Sequence, residues 1–172
     1  MATPDITAQL QIMRLYPLRL LHTITLPAPF GACNYKIRLH GVGVDEATGH
    51  ALVLSDHSAV DSSCADTAPG TVRLVDILSG RVLKTVTVGL DPATVVVDRA
   101  LHRAYVADAL TCDISVIDMR AGTLVAWVRT GKKFPVDELV DTKTGKVFVN
   151  NQFSATITMF DAATTRMDAP GC

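Results

Sequence analysis

Asp56, His57, Asp61, Cys64 and Asp66 crowd one short stretch of the chain. Their residue types could do several kinds of chemistry. Carboxylates at this density can take calcium, but Asp56, Asp61 and Asp66 lack the D-x-[DN]-x-[DN]-G spacing of a compact calcium loop. Solvated loop carboxylates are the stronger reading. His57 with Cys33, Cys64 and Cys112 offers the nitrogen and sulfur donors that zinc takes, yet no C-x-x-C or H-x-x-x-H spacing holds them together. His57 as a general base has no nucleophile of the G-x-S-x-G kind. The sequence therefore predicts no resident metal and no cofactor, and leaves polar side chains for binding a ligand.

The elements that must position these residues are repeated. Val97 to Asp108 reads VDRALHRAYVAD, Val140 to Asn151 reads VDTKTGKVFVNN, and Val44 to Asp56 reads VDEATGHALVLSD. Asp76, Asp118 and Asp161 follow at intervals of 42 and 43 residues, and Gly80 and Gly122 at 42. Asp45 to Asp98 is longer, at 53, so the first unit carries an insertion, Asp56–Gly70. A period of about 40–45 residues with several short strands per unit points to propeller blades. Alternating apolar residues predict four strands in the second unit: Ala93–Asp98, Arg103–Ala107, Asp113–Asp118 and Thr123–Arg129. They are designated A, B, C and D. Val and Ile dominate them, and β-branched side chains suit a pleated buried surface. Asp76, Asp118 and Asp161 recur where strand C ends, the place for a residue that caps a turn.

The phase of the repeat follows. Leu20–Leu26 matches the D strand of the next unit, so the expected order is D, ABCD, ABCD, ABC. The first D strand could complete the last ABC sheet. The fold class is all-β, a β-propeller of four-stranded antiparallel blades, with about three blades present as an open arc or part of a larger ring. Residues 1–18 are expected as a loose or short helical lead-in, 19–163 as blades and 164–172 as a tail. Closed propellers have four to eight blades, so apolar blade faces must find a partner through self-association or further blades.

Composition narrows the partners. The net charge of −1 and the absence of a basic stripe argue against nucleic acid. No apolar run reaches the length of a membrane-spanning helix. No clear signal peptide is visible, because Pro17, Arg19 and His22 interrupt Leu15–Leu26. Hydrophobic residues make up 48% of the chain but aromatics only 5%, so the core must rest on Val, Leu, Ile and Ala.

Tyr105-Val106-Ala107-Asp108 and Phe148-Val149-Asn150-Asn151 resemble the B-strand signature of the YVTN-type β-propeller repeat, and Val116-Ile117-Asp118 and Leu74-Val75-Asp76 its C-strand phrase. The resemblance covers about Leu20 to Ala163. It implies surface-layer, adhesion or ligand-binding roles, often outside the cytoplasm, and kinship with propeller subunits of quinoprotein dehydrogenases. Leu54-Ser55-Asp56 departs from the pattern.

In such blades the B–C and D–A loops share one face, and the resemblance implies that ligands sit at the axis there. That face is expected to hold Asp56, His57, Asp61, Asp66, Asp108 and Asn151 as ligand-binding residues. Cys64 and Cys112 fall in B–C loops of adjacent blades. They could form a disulfide in an oxidising compartment; free thiols are favoured by the missing export signal. The function expected is a binding or protein-interaction scaffold for an unknown protein or small molecule. The alternative is a propeller-type enzyme or dehydrogenase-associated subunit with an axial polar site.

Overall fold

The computed structural model describes residues 8–26, 35–59 and 69–164. Aspartates set its punctuation. Asp45, Asp98 and Asp141 each accept a hydrogen bond on Oδ1 from the amide two residues on, at 3.1, 2.8 and 3.0 Å. Asp76 and Asp118 cap the other hairpin on Oδ1, Asp76 from the amide of Ser79 three residues on at 2.6 Å and Asp118 from that of Arg120 two residues on at 2.8 Å. These local bonds turn the chain without help from tertiary contacts.

Between the turns run thirteen strands among the described residues. β1 (Ala8–Arg14) and β2 (Arg19–Leu26) form a two-stranded sheet. β3 (Tyr35–Asp45), β4 (His50–Ala59), β5 (Thr71–Asp76) and β6 (Arg81–Thr87) form blade 1. β7 (Pro92–Asp98), β8 (Arg103–Asp108), β9 (Asp113–Asp118) and β10 (Thr123–Arg129) form blade 2. β11 (Pro135–Asp141), β12 (Lys146–Asn151) and β13 (Thr156–Asp161) form blade 3, which has three strands. Every paired neighbour is antiparallel.

Each blade has two faces because strand side chains alternate. Leu52, Leu54, Val72 and Leu74 of blade 1 bury against Ala104, Val106 and Ile117 of blade 2. Tyr105, Ala107, Ile114 and Val116 of blade 2 bury against Val147 and Val149 of blade 3. Ile24 and Leu26 of β2 cover Val53 and Val75 on the near face of blade 1. Burying a Leu or Val side chain fully is worth about 1.5–3 kcal/mol, so these interfaces hold the arc together. Polar bonds fix their register: the Tyr105 hydroxyl and Arg103 both donate to the Ala162 carbonyl, at 2.6 and 3.0 Å.

The blade order is as the repeat predicts, with corrections at the start. Ala8–Arg14 is a strand, not a loose or helical lead-in, so the observed order is CD, ABCD, ABCD, ABC. β2 pairs with β1 and not with β13. Asp56 and His57 belong to β4, where their backbones pair with Arg38 and Ile37, rather than to the loop that follows.

Candidate functional site

The register of β3 on β4 sets Arg38 opposite Asp56. His40, two residues along, points to the same face. Arg38 grips the Asp56 carboxylate with two bonds, Nε to Oδ1 at 3.0 Å and an Nη nitrogen to Oδ2 at 2.5 Å. Such forked pairs are stronger and more directional than single bonds. His40 Nε2 lies 3.2 Å from Asp56 Oδ1. Asp91, in the connection entering blade 2, completes the group, with Oδ1 at 4.0 Å from Arg38. The Asp91 carbonyl accepts from the Ala109 amide at 3.0 Å, which anchors this connection to the end of β8.

Burial works to raise the Asp56 pKa, but the Arg38 hydrogen bond and the His40 and Arg38 charges outweigh it and hold the carboxyl below its ordinary range. Asp91 moves the other way. Burial raises it first, and the charge of Asp56 and a carboxyl–carboxylate hydrogen bond raise it further, against the pull of His40 and Arg38. The two carboxylates thus divide into a firmly ionised one and one that keeps its proton more readily.

Asp108 and Asn151 occupy corresponding positions at the ends of β8 and β12, and both are fully buried. Ser115 donates to Asp108 Oδ2 at 2.6 Å, and Asn151 donates to the Thr158 hydroxyl at 2.9 Å. Blade 1 uses the same two positions for Ser55 and Arg73, with Arg73 donating to Ser55 Oγ at 2.6 Å. The bond is a repeated brace between strands B and C. Burial drives the Asp108 pKa well up, and the neighbouring Asp113 charge adds to this, while Ser115 and the Gly89 amide oppose it.

Of the six sequence-predicted residues, therefore, Asp56 joins a polar cluster, Asp108 bonds to Ser115 of its own blade and to the Gly89 amide of the connection before it, and Asn151 bonds within its own blade. The backbone of His57 is in β4, and its side chain lies outside the described residues, as do Asp61 and Asp66. Cys64 is outside them too; Cys112 is disulfide-bonded, to a partner beyond the described residues. Sequence reasoning missed Arg38, His40 and Asp91. Arg38-x-His40 carries the alternation of one strand face, but only the register with Asp56 makes it a site.

A second feature lies at the open side of blade 3. Leu139, Phe148 and Met159 form one cross-strand row, and Asp137, Asn150 and Ile157 the next. Leu139 is 63% exposed, Ile157 72% and Met159 57%. Together with Glu138 and Val149, most of these residues line an open groove of about 310 Å³. Lys146 and Asp161 pair at 2.6 Å at the rim. In blade 2 the corresponding rows are Val96–Tyr105–Val116 and Thr94–Ala107–Ile114, which blade 3 covers.

The sequence matches no protein-family model and no curated protein. Its fold is similar to a solved chain of Kuenenia stuttgartiensis hydrazine synthase, with a TM-score of 0.68 and 14% identity, over 95% of this chain and 42% of that one. This likeness shows the fold, a β-propeller arc, and the chain spans less than half the length of that relative. No helix among the described residues is long and apolar enough to cross a membrane.

Proposed function

We propose that this chain is a binding scaffold of the YVTN-like propeller kind, which works by docking another β-sheet on the open face of blade 3. The observation that carries this reading is the Leu139–Phe148–Met159 row and its neighbour Ile157. They stand where the two internal interfaces place buried residues. The face that fits is that of a further blade: small and β-branched residues, as Ala104, Val106 and Ile117 present to blade 1, and Val147 and Val149 to blade 2. The first sheet does not offer this face, since Gln9, Gln11, Thr23 and Thr25 are exposed there. Sedimentation of the chain tests the reading. Concentration-dependent association is expected, because an apolar face of this kind seeks cover, and Leu139→Asp with Met159→Asp should abolish it. A chain that stays monomeric at tens of micromolar, roughly where weak interfaces already form, contradicts it.

The second reading is a propeller enzyme or a dehydrogenase-associated subunit. The observation favouring it is the Arg38–His40–Asp56–Asp91 cluster, which gathers a base, two carboxyls of opposed pKa shift and a guanidinium. Native mass spectrometry of the purified protein tests it. A bound small molecule lost on Asp91→Asn supports an axial ligand; an unmodified mass in both proteins argues against it.

A further inference from the structure

We propose that His40, Asp56 and Asp91 form a site for one divalent transition-metal ion of the zinc class at the junction of blades 1 and 2. One imidazole nitrogen and two carboxylate oxygens from these residues lie within 4.8 Å of one another. Metal–ligand bonds of about 2.0–2.2 Å hold tetrahedral donors roughly 3.5 Å apart, so a small inward movement of these side chains lets the three share one ion. The donors come from three separate segments that the fold fixes independently. His40 and Asp56 sit on paired strands, and Asp91 is held through its carbonyl to β8. Ligands carried on rigid elements need little rearrangement to bind.

The donor types select the ion. Calcium and magnesium favour shells of oxygen alone, with six or more ligands. An imidazole with two carboxylates suits zinc and its neighbours, and three protein ligands leave a further position open. Arg38 is the counterweight. Its fork on Asp56 orients that carboxylate as an outer partner does in metal sites, yet its positive charge lies 4.0 Å from Asp91. The guanidinium therefore orients one ligand while weakening the pull of the pair on a cation. The site is separate from the open face of blade 3, and its test does not depend on association.

The experiment is calorimetric titration of the full chain with zinc alone, alongside thermal melts. Binding of one ion per chain and a raised melting temperature are expected. His40→Ala and Asp91→Asn should each weaken binding by at least about tenfold, the loss that even outer-shell partners cause. Arg38→Gln should tighten it, since it removes the competing charge. The His40 side chain is 25% exposed, as is that of Asp91, so both variants should fold, which their metal-free melts check. Should either variant unfold, the imidazole nitrogen shifts of His40 in the native chain on zinc addition give the same answer. The proposal is overturned by an absence of saturable binding, by equal zinc affinity in both variants, or by calcium binding where zinc does not.

Discussion

Nδ1 of His102 lies 2.6 Å from Oδ2 of Asp45, joining the A–B turns of blades 1 and 2. His102 has φ 53, in the place where Gly49 and Gly145 turn the other two blades. A side chain there is strained relative to glycine, and the contact with a fully buried carboxylate is what it gains. Burial raises the Asp45 pKa, but the His102 hydrogen bond and the Ala47 amide bring it below the ordinary range. That stabilisation is present above the unfolded carboxylate pKa and is lost as pH falls through the lowered one.

His102→Ala should therefore destabilise the arc by about 1–3 kcal/mol, the scale of leaving a buried group short of a partner. His102→Gly separates the two effects, since it relieves the backbone while losing the same bond. Chemical denaturation at neutral pH measures both. A native-like midpoint for the alanine variant would show that the contact carries nothing.

Glu138 should make stability depend on pH near neutrality. Its carboxyl lies between strands A of blades 2 and 3, where the Thr94 hydroxyl donates to it and one oxygen has no hydrogen-bond partner. Burial pushes its pKa up to about 7, the Asp137 charge adds to this, and Thr94 and the Ala107 amide oppose it. A raised acid pKa means that the folded state holds a proton the unfolded chain has released. Stability should fall as pH rises from the unfolded value of roughly 4.3 to about 7, by up to about 3 kcal/mol, and then level off. Glu138→Gln should flatten that slope in melts taken from pH 5 to 8. An unchanged slope would exclude Glu138 as its source.

Cys112 is disulfide-bonded, where the sequence favoured free thiols, and the adjacent B–C loops make Cys64 the partner we predict. Peptide mapping of the non-reduced protein should give a linked pair containing Cys64 and Cys112. A bridge closing a loop of that length is worth about 4 kcal/mol in the chain-entropy account, so reduction should lower the melting temperature. Linkage of Cys112 to Cys33 or Cys172 would refute the pairing.

The blades were legible in the sequence because each turn is written locally. Asp98 with its following residues, and Asp118 with Gly122, set hairpins by short-range bonds that recur at every period. β1 was not, although Ala8, Leu10 and Ile12 alternate. Gln9 and Gln11 carry little strand preference, and the segment lacks the aspartate that ends the other C strands, so only pairing with β2 defines it. The polar cluster was hidden for a related reason. Arg38 and His40, Asp56, and Asp91 lie on three separate segments; strand register joins the first two and the connection entering blade 2 adds the third, and spacing along the chain encodes neither. Asp108 and Asn151 looked like loop ligands because they end their strands, but both are buried and hydrogen-bonded to neighbouring protein groups.

The most direct test of an arc built to receive a further blade is to supply one. A variant carrying a second copy of residues 123–164 after Thr164 adds a D strand beside β13 and an ABC sheet over Leu139, Phe148, Ile157 and Met159. Hydrogen exchange of β12 and β13 is the measurement. The account predicts that their amides become strongly protected, while the copied row at the new end still drives association. Exchange in β13 as fast as in the original chain, with the added unit itself unprotected, would contradict it.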